Sequence, residues 1–132
     1  MSSAIKKINP VLFVPAIEPI LPFWVEQLGF TKSVEVPAGD RLAFVILEKD
    51  GIEIMYQTHA SADKDAPAIS AQVRASKTFL YVEVADLAAV KRALTNATVY
   101  LDERISFYGA TEIGVQDPAG HFITFAQMSA GV

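Results

Sequence analysis

A carboxylate in an alternating strand is the first candidate for chemistry in this sequence. Glu53 stands between Ile52 and Ile54, so in a β-strand its side chain lies on the face opposite to both apolar neighbours. If that face lines a cleft, the carboxylate could bind a cationic group or, with a raised pKa, act as a general base. The alternative is an exposed strand carboxylate with no functional role, and the residues leave both interpretations open.

Aromatic side chains form the second candidate set, because their rings offer stacking surfaces to a planar ligand. The candidates are Tyr56, Phe79, Tyr81, Phe107 and Tyr108. The last two precede Gly109 in a predicted loop and suit a flexible lip over a ligand, whereas core packing accounts for most rings of this kind. Arg104 is near that loop and could pair with Glu53 or with an anion.

Several other chemistries are disfavoured by composition. There are no cysteines, which excludes disulfides and thiolate catalysis. His59 lies in a polar segment and His121 directly follows a turn glycine, so both are expected at the surface. No Ser-His-Asp pattern, phosphate-binding glycine loop or nucleic-acid motif is present. Trp24 stands at a core-facing helical position.

Charge and hydropathy bound the partners. The net charge of −4 leaves no basic stripe for nucleic acid, and a cationic ligand would be tolerated better than an anionic one. No apolar run approaches the roughly 18 residues that span a bilayer, and the N-terminus lacks a signal-peptide core. The sequence therefore predicts a cytoplasmic protein without membrane or nucleic-acid partners.

The elements that must position these side chains follow from periodicity and turn signals. Pro19 suits the start of a helix and Gly29 its end, Asp86 suits a helix N-cap, and Asp117 can cap a turn in which Gly120 takes positive φ. We expect helices at 18–28 and 87–94, and strands at 8–14, 30–36, 41–48, 52–57, 78–84, 98–103, 110–116 and 122–127.

This order is a strand-helix-strand-strand-strand unit that occurs twice. Val14 matches Val84 at a spacing of seventy residues, and Glu53 matches Thr124 at seventy-one. We therefore expect one α+β domain over residues 1–132, made of two paired βαβββ modules that form a curved mixed sheet around a cleft. The modules span about 5–57 and 77–128, and residues 58–76, which show no sustained period, form the connecting loop.

Four short motifs, spread in order over about the whole chain, resemble a known family. They are Asn-Pro-Val-Leu-Phe-Val-Pro-Ala-Ile at 9–17, Pro-Phe-Trp at 22–24, Leu-Gly-Phe at 28–30 and Asp-Pro-Ala-Gly at 117–120. With the internal duplication they resemble the glyoxalase/bleomycin-resistance/dioxygenase superfamily, whose fold is the vicinal oxygen chelate fold. The resemblance implies a U-shaped cleft and a homodimer, in which the arm that carries Pro10 is exchanged between subunits.

The resemblance also implies where family enzymes hold a divalent metal, with two ligands from each module. Those positions fall on Asn9, Glu53, Phe79 and Thr124. Only Glu53 is a good ligand for a hard cation, whereas a catalytic metal site needs about three imidazoles or carboxylates. We therefore expect neither a metal nor another cofactor, which disfavours the chelate enzymes.

What remains is the metal-free branch of the family, which includes bleomycin-resistance proteins. We expect a protein that binds or sequesters a small organic compound, cationic or aromatic, as in antibiotic resistance, and that has no catalytic residue. Clefts of that branch use several tryptophans and this chain has one, so bleomycin itself stays open. The expected ligand-binding residues are Glu53, Phe79, Tyr81, Phe107, Tyr108 and Thr124.

Two alternative functions are enzymatic. One is a metal-dependent lyase, isomerase or dioxygenase of the glyoxalase type with atypical ligands. The other is a metal-free enzyme in which Glu53 is the base.

Overall fold

Two four-stranded mixed sheets form the framework of the protein, which a computed structural model describes over residues 4–129. The sheet orders are β1-β4-β3-β2 and β5-β8-β7-β6, with β1 parallel to β4, β5 parallel to β8 and the other pairs antiparallel. The strands are β1 Val11–Val14, β2 Thr31–Ala38, β3 Arg41–Lys49, β4 Ile52–Thr58, β5 Phe79–Glu83, β6 Thr98–Ile105, β7 Thr111–Gln116 and β8 Phe122–Gln127. This arrangement confirms the predicted α+β fold of repeated βαβββ units.

The helix of the first unit is irregular. A 3₁₀ turn at Glu18–Ile20 leads into a wider turn at Pro22–Gln27, where the amide of Leu28 donates to the carbonyl of Phe23. Pro19 and Pro22 lack amide donors and so cannot support a regular α-helical ladder. Gly29 follows with a φ of +80°, as expected for the residue after a helix.

The segment predicted as a loop at residues 58–76 contains helices. These are α1 (His59–Asp65), a 3₁₀ turn (Pro67–Ile69) and α2 (Ser70–Ala75). The side chain of Thr58 accepts from the amide of Ser61 as an N-cap, and Arg74 forms a two-point ion pair with Asp63 at 2.5 and 2.6 Å. Local caps and a salt bridge stabilise these short polar helices, so hydrophobic periodicity does not reveal them.

The helix of the second unit is α3 (Leu87–Ala93), and it begins as predicted. The carboxylate of Asp86 accepts from the amide of Ala89, which is the N-cap arrangement. Leu87 buries its side chain against the second sheet. No helix among residues 4–129 is long and apolar enough to cross a membrane.

One hydrophobic core joins both units. The helical segment at 18–27 contributes Phe23 and Trp24, which pack edge-to-face at 5.2 Å, so the core position predicted for Trp24 is confirmed. The buried residues from the two sheets are Leu12, Val14, Val45, Leu47, Ile54, Tyr56, Val115, Ile123 and Phe125. Since they alternate along their strands with more exposed residues, each sheet has one core face and one outer face.

His121 lies inside the protein, and the prediction that it is a surface residue is wrong. Its side chain is 1% exposed. Nδ1 accepts from the amide of Thr78 at 2.9 Å, and Nε2 lies 2.8 Å from the carbonyl of Phe13. The ring satisfies backbone groups of both units, which a reading of local polarity around the turn could not foresee.

Candidate functional site

The outer face of the second sheet exposes a group of aromatic rings. In β8, Ile123 and Phe125 are buried in the core, whereas Phe122 and Thr124 alternate with them on the outer face. Cross-strand pairing places Phe79 opposite Phe122 and Tyr81 opposite Thr124. We call the outer-face rings the aromatic face, which comprises Phe79, Tyr81, Tyr100, Tyr108 and Phe122.

Ring contacts organise one half of the aromatic face. Phe79 stacks on Phe122 with ring centroids 4.7 Å apart and ring planes inclined by 8°. Despite this contact Phe79 is 71% exposed. Tyr100 meets Phe122 edge-on at 5.0 Å, and its hydroxyl lies 2.6 Å from that of Thr124. Gly114 makes this possible, since a Cβ there would lie 2.6 Å from the ring of Tyr100.

A buried carboxylate organises the other half. Glu112 in β7 is 1% exposed. Its Oε2 receives hydrogen bonds from the hydroxyls of Tyr81 at 2.9 Å and Tyr108 at 2.7 Å. Its Oε1 lies 3.1 Å from Nε and 3.0 Å from Nη2 of Arg104. A buried carboxylate is tolerated when its oxygens are paired in this way.

The electrostatics of this cluster favour an ionised Glu112 and a protonated Tyr81. Burial alone would raise the pKa of Glu112, but hydrogen bonds from Tyr108, Tyr81 and Arg104 outweigh it and lower the pKa. The pKa of Tyr81 is raised by burial and by its contacts with Tyr108 and Glu112. The hydroxyl of Tyr81 therefore keeps its proton at neutral pH and acts as a hydrogen-bond donor.

The loop predicted as a flexible lip is tied to the sheet. β6 extends through Ile105, so Arg104 is a strand residue. The hydroxyl of Tyr108 bonds Glu112, and the amide of Ala110 bonds the hydroxyl of Ser106 at 3.1 Å. At the tip Phe107 is fully exposed, with its ring edge-on to that of Tyr108 at 4.9 Å.

Glu53 lies elsewhere, in a contact with the N-terminal arm, which we define as residues 7–10. Lys7 Nζ lies 2.6 Å and Asn9 Nδ2 3.0 Å from Oε1 of Glu53. The hydrogen bond from Lys7 is the main cause of a lowered pKa of Glu53. Of the interpretations that the sequence left open, the one with a raised pKa does not agree with this environment, because the carboxylate has a cationic partner and is not surrounded by rings alone.

A cavity connects Glu53 with the second unit. It has a volume of ≈ 470 Å³ and lies between the N-terminal arm, the start of β4 and β5. Glu53 and Tyr81 both line it. It thus brings a predicted site residue of the first unit, Glu53, into one cavity with a predicted site residue of the second, Tyr81.

The six predicted ligand-binding residues are brought together only in part. Tyr81 shares hydrogen bonds with Tyr108 and is the cross-strand partner of Thr124. Phe79 lies two residues further along β5, Phe107 projects beyond Tyr108, and Glu53 lies in the first sheet. Sequence reasoning missed Glu112, which is the centre of the polar cluster. The available signal was alternation, because Glu112 shares its face of β7 with Gly114 and Gln116, opposite the buried Val115.

The four positions at which family enzymes hold a metal do not fit a divalent ion here. Asn9 turns its amide nitrogen toward Glu53, the hydroxyl of Thr124 is bonded to that of Tyr100, and Phe79 has no donor atom. The structure pairs Thr124 with Tyr81 rather than with Phe79. Over residues 4–129 no cluster of three or more His, Cys, Asp or Glu side chains could hold a metal.

Comparison with known proteins agrees with this fold. A family model described as the Glyoxalase/Bleomycin resistance protein/Dioxygenase superfamily matches residues 6–125, and the chain therefore belongs to this superfamily. A search of curated protein sequences gave no match.

Solved structures at low sequence identity share the fold. A glyoxalase/bleomycin resistance protein/dioxygenase from Nocardioides is 16% identical, with a TM-score of 0.74 over 100% of this chain and 89% of its own. A bleomycin-binding protein complexed with bleomycin is 18% identical, with a TM-score of 0.64 over 95% of this chain and 100% of its own. A bleomycin resistance determinant encoded on the transposon Tn5 is 18% identical, with a TM-score of 0.66 over 95% and 99%.

Proposed function

We propose that the protein is a metal-free binding or sequestration protein for a small organic compound in the cytoplasm, as the bleomycin-resistance branch of its superfamily is. The observation that carries this proposal is the exposed aromatic face. A stack in which Phe79 remains 71% exposed costs solvation free energy unless a ligand or a partner covers it. A flat ring system could continue that stack.

The donor chemistry supports binding over metal catalysis. At the four family metal positions the side chains are an amide, a carboxylate, a phenyl ring and a hydroxyl, which are too few strong ligands for Zn, Ni, Fe or Mn. Glu53 as a general base also lacks support, because its lowered pKa makes it a weak acceptor of protons near neutral pH.

We propose further that the working form is a homodimer, in which the first sheet (β1-β4-β3-β2) of one subunit covers the aromatic face of the other. Exposed apolar side chains on and beside that face include Phe79, Tyr81, Ile105 and Phe107, a patch typical of an interface. The N-terminal arm contacts β4 of its own chain, through Pro10 O and Met55 N at 3.0 Å and through Glu53. An exchanged arm would make the same contacts with the partner.

Ligand binding can be tested with bleomycin as the first compound. We expect cells that express the protein to survive higher doses, and titration calorimetry of purified protein to show a saturable heat. The variant Phe79→Ala should weaken binding at least tenfold and leave folding intact, since the ring is mostly exposed. Ile69→Ala is the matched control, since it removes an exposed apolar side chain from the 3₁₀ turn at Pro67–Ile69, outside both sheets.

Two further measurements separate the alternatives. Elemental analysis of protein purified without chelator should find less than about 0.1 metal ion per chain, because the four family metal positions carry too few strong ligands. Stoichiometric Ni, Zn, Fe or Mn would overturn the proposal. Sedimentation at micromolar concentration should give a dimer. If several drug classes give neither protection nor heat, sequestration of such compounds is the wrong function.

A further inference from the structure

Three charged residues of the second sheet, Glu83, Glu112 and Arg104, stand in one row across the strands. Cross-strand pairing aligns Glu83, Ala126, Glu112 and Arg104 in that order. Glu83 and Arg104 are thus three strand spacings of about 4.8 Å apart, or roughly 14 Å. At that distance, across partly solvated surface, Glu83 does not neutralise Arg104.

Glu112 holds the guanidinium of Arg104 in place beside the rings. Nε and Nη2 both approach Oε1 of Glu112, and a planar guanidinium with two contacts of this kind has little freedom to rotate. Glu112 itself is anchored by the hydroxyls of Tyr81 and Tyr108. The cation is therefore oriented before any ligand arrives, which lowers the entropy cost of binding to it.

Part of the guanidinium remains free for a ligand. The Arg104 side chain is 55% exposed, and Nη1 makes no hydrogen bond with any of residues 4–129. Glu112 cannot accept further bonds easily, since both of its oxygens are occupied and it is buried. A ligand that approaches this corner thus meets exposed donors on Arg104, whereas Glu112 is buried behind them. Asp102 and Glu103, which precede Arg104 in β6, are exposed, and Glu103 is paired with Lys91.

We propose that Arg104 is a specificity-determining residue, which binds the carboxylate or sulfonate of an aromatic ligand whose ring lies on the aromatic face. This inference rests on the proposed function and narrows it from cationic or aromatic compounds to aromatic acids. The exposed donors of Arg104 bind the acid group, and Tyr81 and Tyr108 border the adjoining ring surface.

Three naphthalenes that differ in charge test the proposal by calorimetry: 2-naphthoate, 2-naphthylmethanol and 2-naphthylmethylammonium. We expect naphthoate to bind at least about tenfold more tightly than the alcohol, and the ammonium compound to bind most weakly. The preference for naphthoate over the alcohol should decrease with added salt, because the guanidinium of Arg104 is partly exposed to solvent.

Variants assign the preference to Arg104. Replacing Arg104 alone would leave a buried charge on Glu112, so the decisive variant is the double substitution Arg104→Met/Glu112→Gln, with folding checked by near-ultraviolet circular dichroism. We expect it to bind naphthoate and the alcohol within about threefold of each other. Arg104→Lys keeps the charge without the planar fork, and should bind naphthoate at least about threefold more weakly with the alcohol unchanged.

Arg92→Met is the matched control, because it removes an exposed arginine of α3 and should leave all three affinities unchanged. If naphthoate keeps its preference in both Arg104 variants, or if the ammonium compound binds best, the assignment to Arg104 is overturned while binding of aromatic compounds stands. If none of the three compounds binds the unmodified protein, the narrowing to aromatic acids is overturned, and the proposed function falls with it only when bleomycin and the other drug classes also give neither protection nor heat.

Discussion

The hydroxyl of Tyr56 in β4 donates a hydrogen bond of 2.5 Å to Oδ2 of Asp117, in the turn before β8. The same hydroxyl accepts from Nε1 of Trp24 at 2.8 Å. All three side chains are buried, so this chain of hydrogen bonds joins the two units through the core. Burial, and then the charge of Asp117, raises the pKa of Tyr56 well above its usual value, which keeps the hydroxyl a donor.

The first prediction concerns this connection. Tyr56→Phe keeps the ring but removes the partner of both Asp117 and Trp24, and we expect the free energy of unfolding to fall by about 2 to 3 kcal/mol. Urea denaturation measures the loss. Tyr100→Phe is the matched control, because its hydroxyl lies on the outer face, and it should cost less than about 1 kcal/mol. Equal losses in the two variants would show that the buried hydrogen bonds of Tyr56 contribute no more stability than the exposed one of Tyr100.

The role of Asp117 shows how much of the fold local sequence can predict. Its Oδ1 accepts from the amides of Ala119 and His121, both at 2.9 Å, and Gly120 has a φ of +91°. Turn chemistry predicted this part, because these bonds reach only a few residues. The bond of Oδ2 to Tyr56 spans 61 residues, and no local pattern indicates it.

The candidate site likewise combines local features that the sequence predicts with long-range contacts that it does not. Alternation in β8 predicted correctly that Thr124 and Phe122 share the face opposite Ile123 and Phe125. The partners of Glu112 come from β5, from β6 and from the loop after it. The pairing of the strands and two register shifts in β6 set these contacts. The sequence therefore indicates Glu112 as a charged strand residue but not the cluster around it.

The second prediction tests how the aromatic face is built. In Gly114→Ala the new Cβ would lie 2.6 to 2.8 Å from the ring of Tyr100 and the Cβ of Leu101. We expect Tyr100 to leave Thr124 and the free energy of unfolding to fall by about 1 to 3 kcal/mol. In a Tyr100→Ala background Gly114→Ala should lower the free energy of unfolding by about 1 kcal/mol less, because the Tyr100 ring, which is nearest to the new Cβ, is absent. Chemical denaturation of the four proteins gives the comparison, and identical costs in both backgrounds would contradict it.

The third prediction concerns the N-terminal arm. Glu53→Gln removes the charge that Lys7 contacts at 2.6 Å, so the arm should open more often. The amide of Met55, which bonds Pro10 O at 3.0 Å, reports this opening by hydrogen exchange. We expect its exchange to become several-fold faster, on the order of the effect of a partly exposed ion pair. The control is Asp63→Asn, which breaks the ion pair with Arg74 in the segment 58–76 and should leave exchange of the Met55 amide unchanged. If exchange of the Met55 amide becomes faster in Asp63→Asn as well, Glu53 has no specific role in holding the arm.

The fourth prediction is a pH dependence that belongs to Glu112. Because its pKa in the folded protein lies below the ordinary value of 4.5, its contribution to stability is complete above pH 4.5 and is lost as the pH falls through the folded pKa. Glu112→Gln should therefore be less stable than the unmodified protein at pH 6, and the gap should narrow between pH 4.5 and 3. Urea titrations across this range measure it. Glu26→Gln, an exposed site, should stay within about 0.5 kcal/mol of the unmodified protein throughout. A gap for Glu112→Gln that stays constant down to pH 3 would mean that the carboxylate is not stabilised in its ionised form by Tyr81, Tyr108 and Arg104.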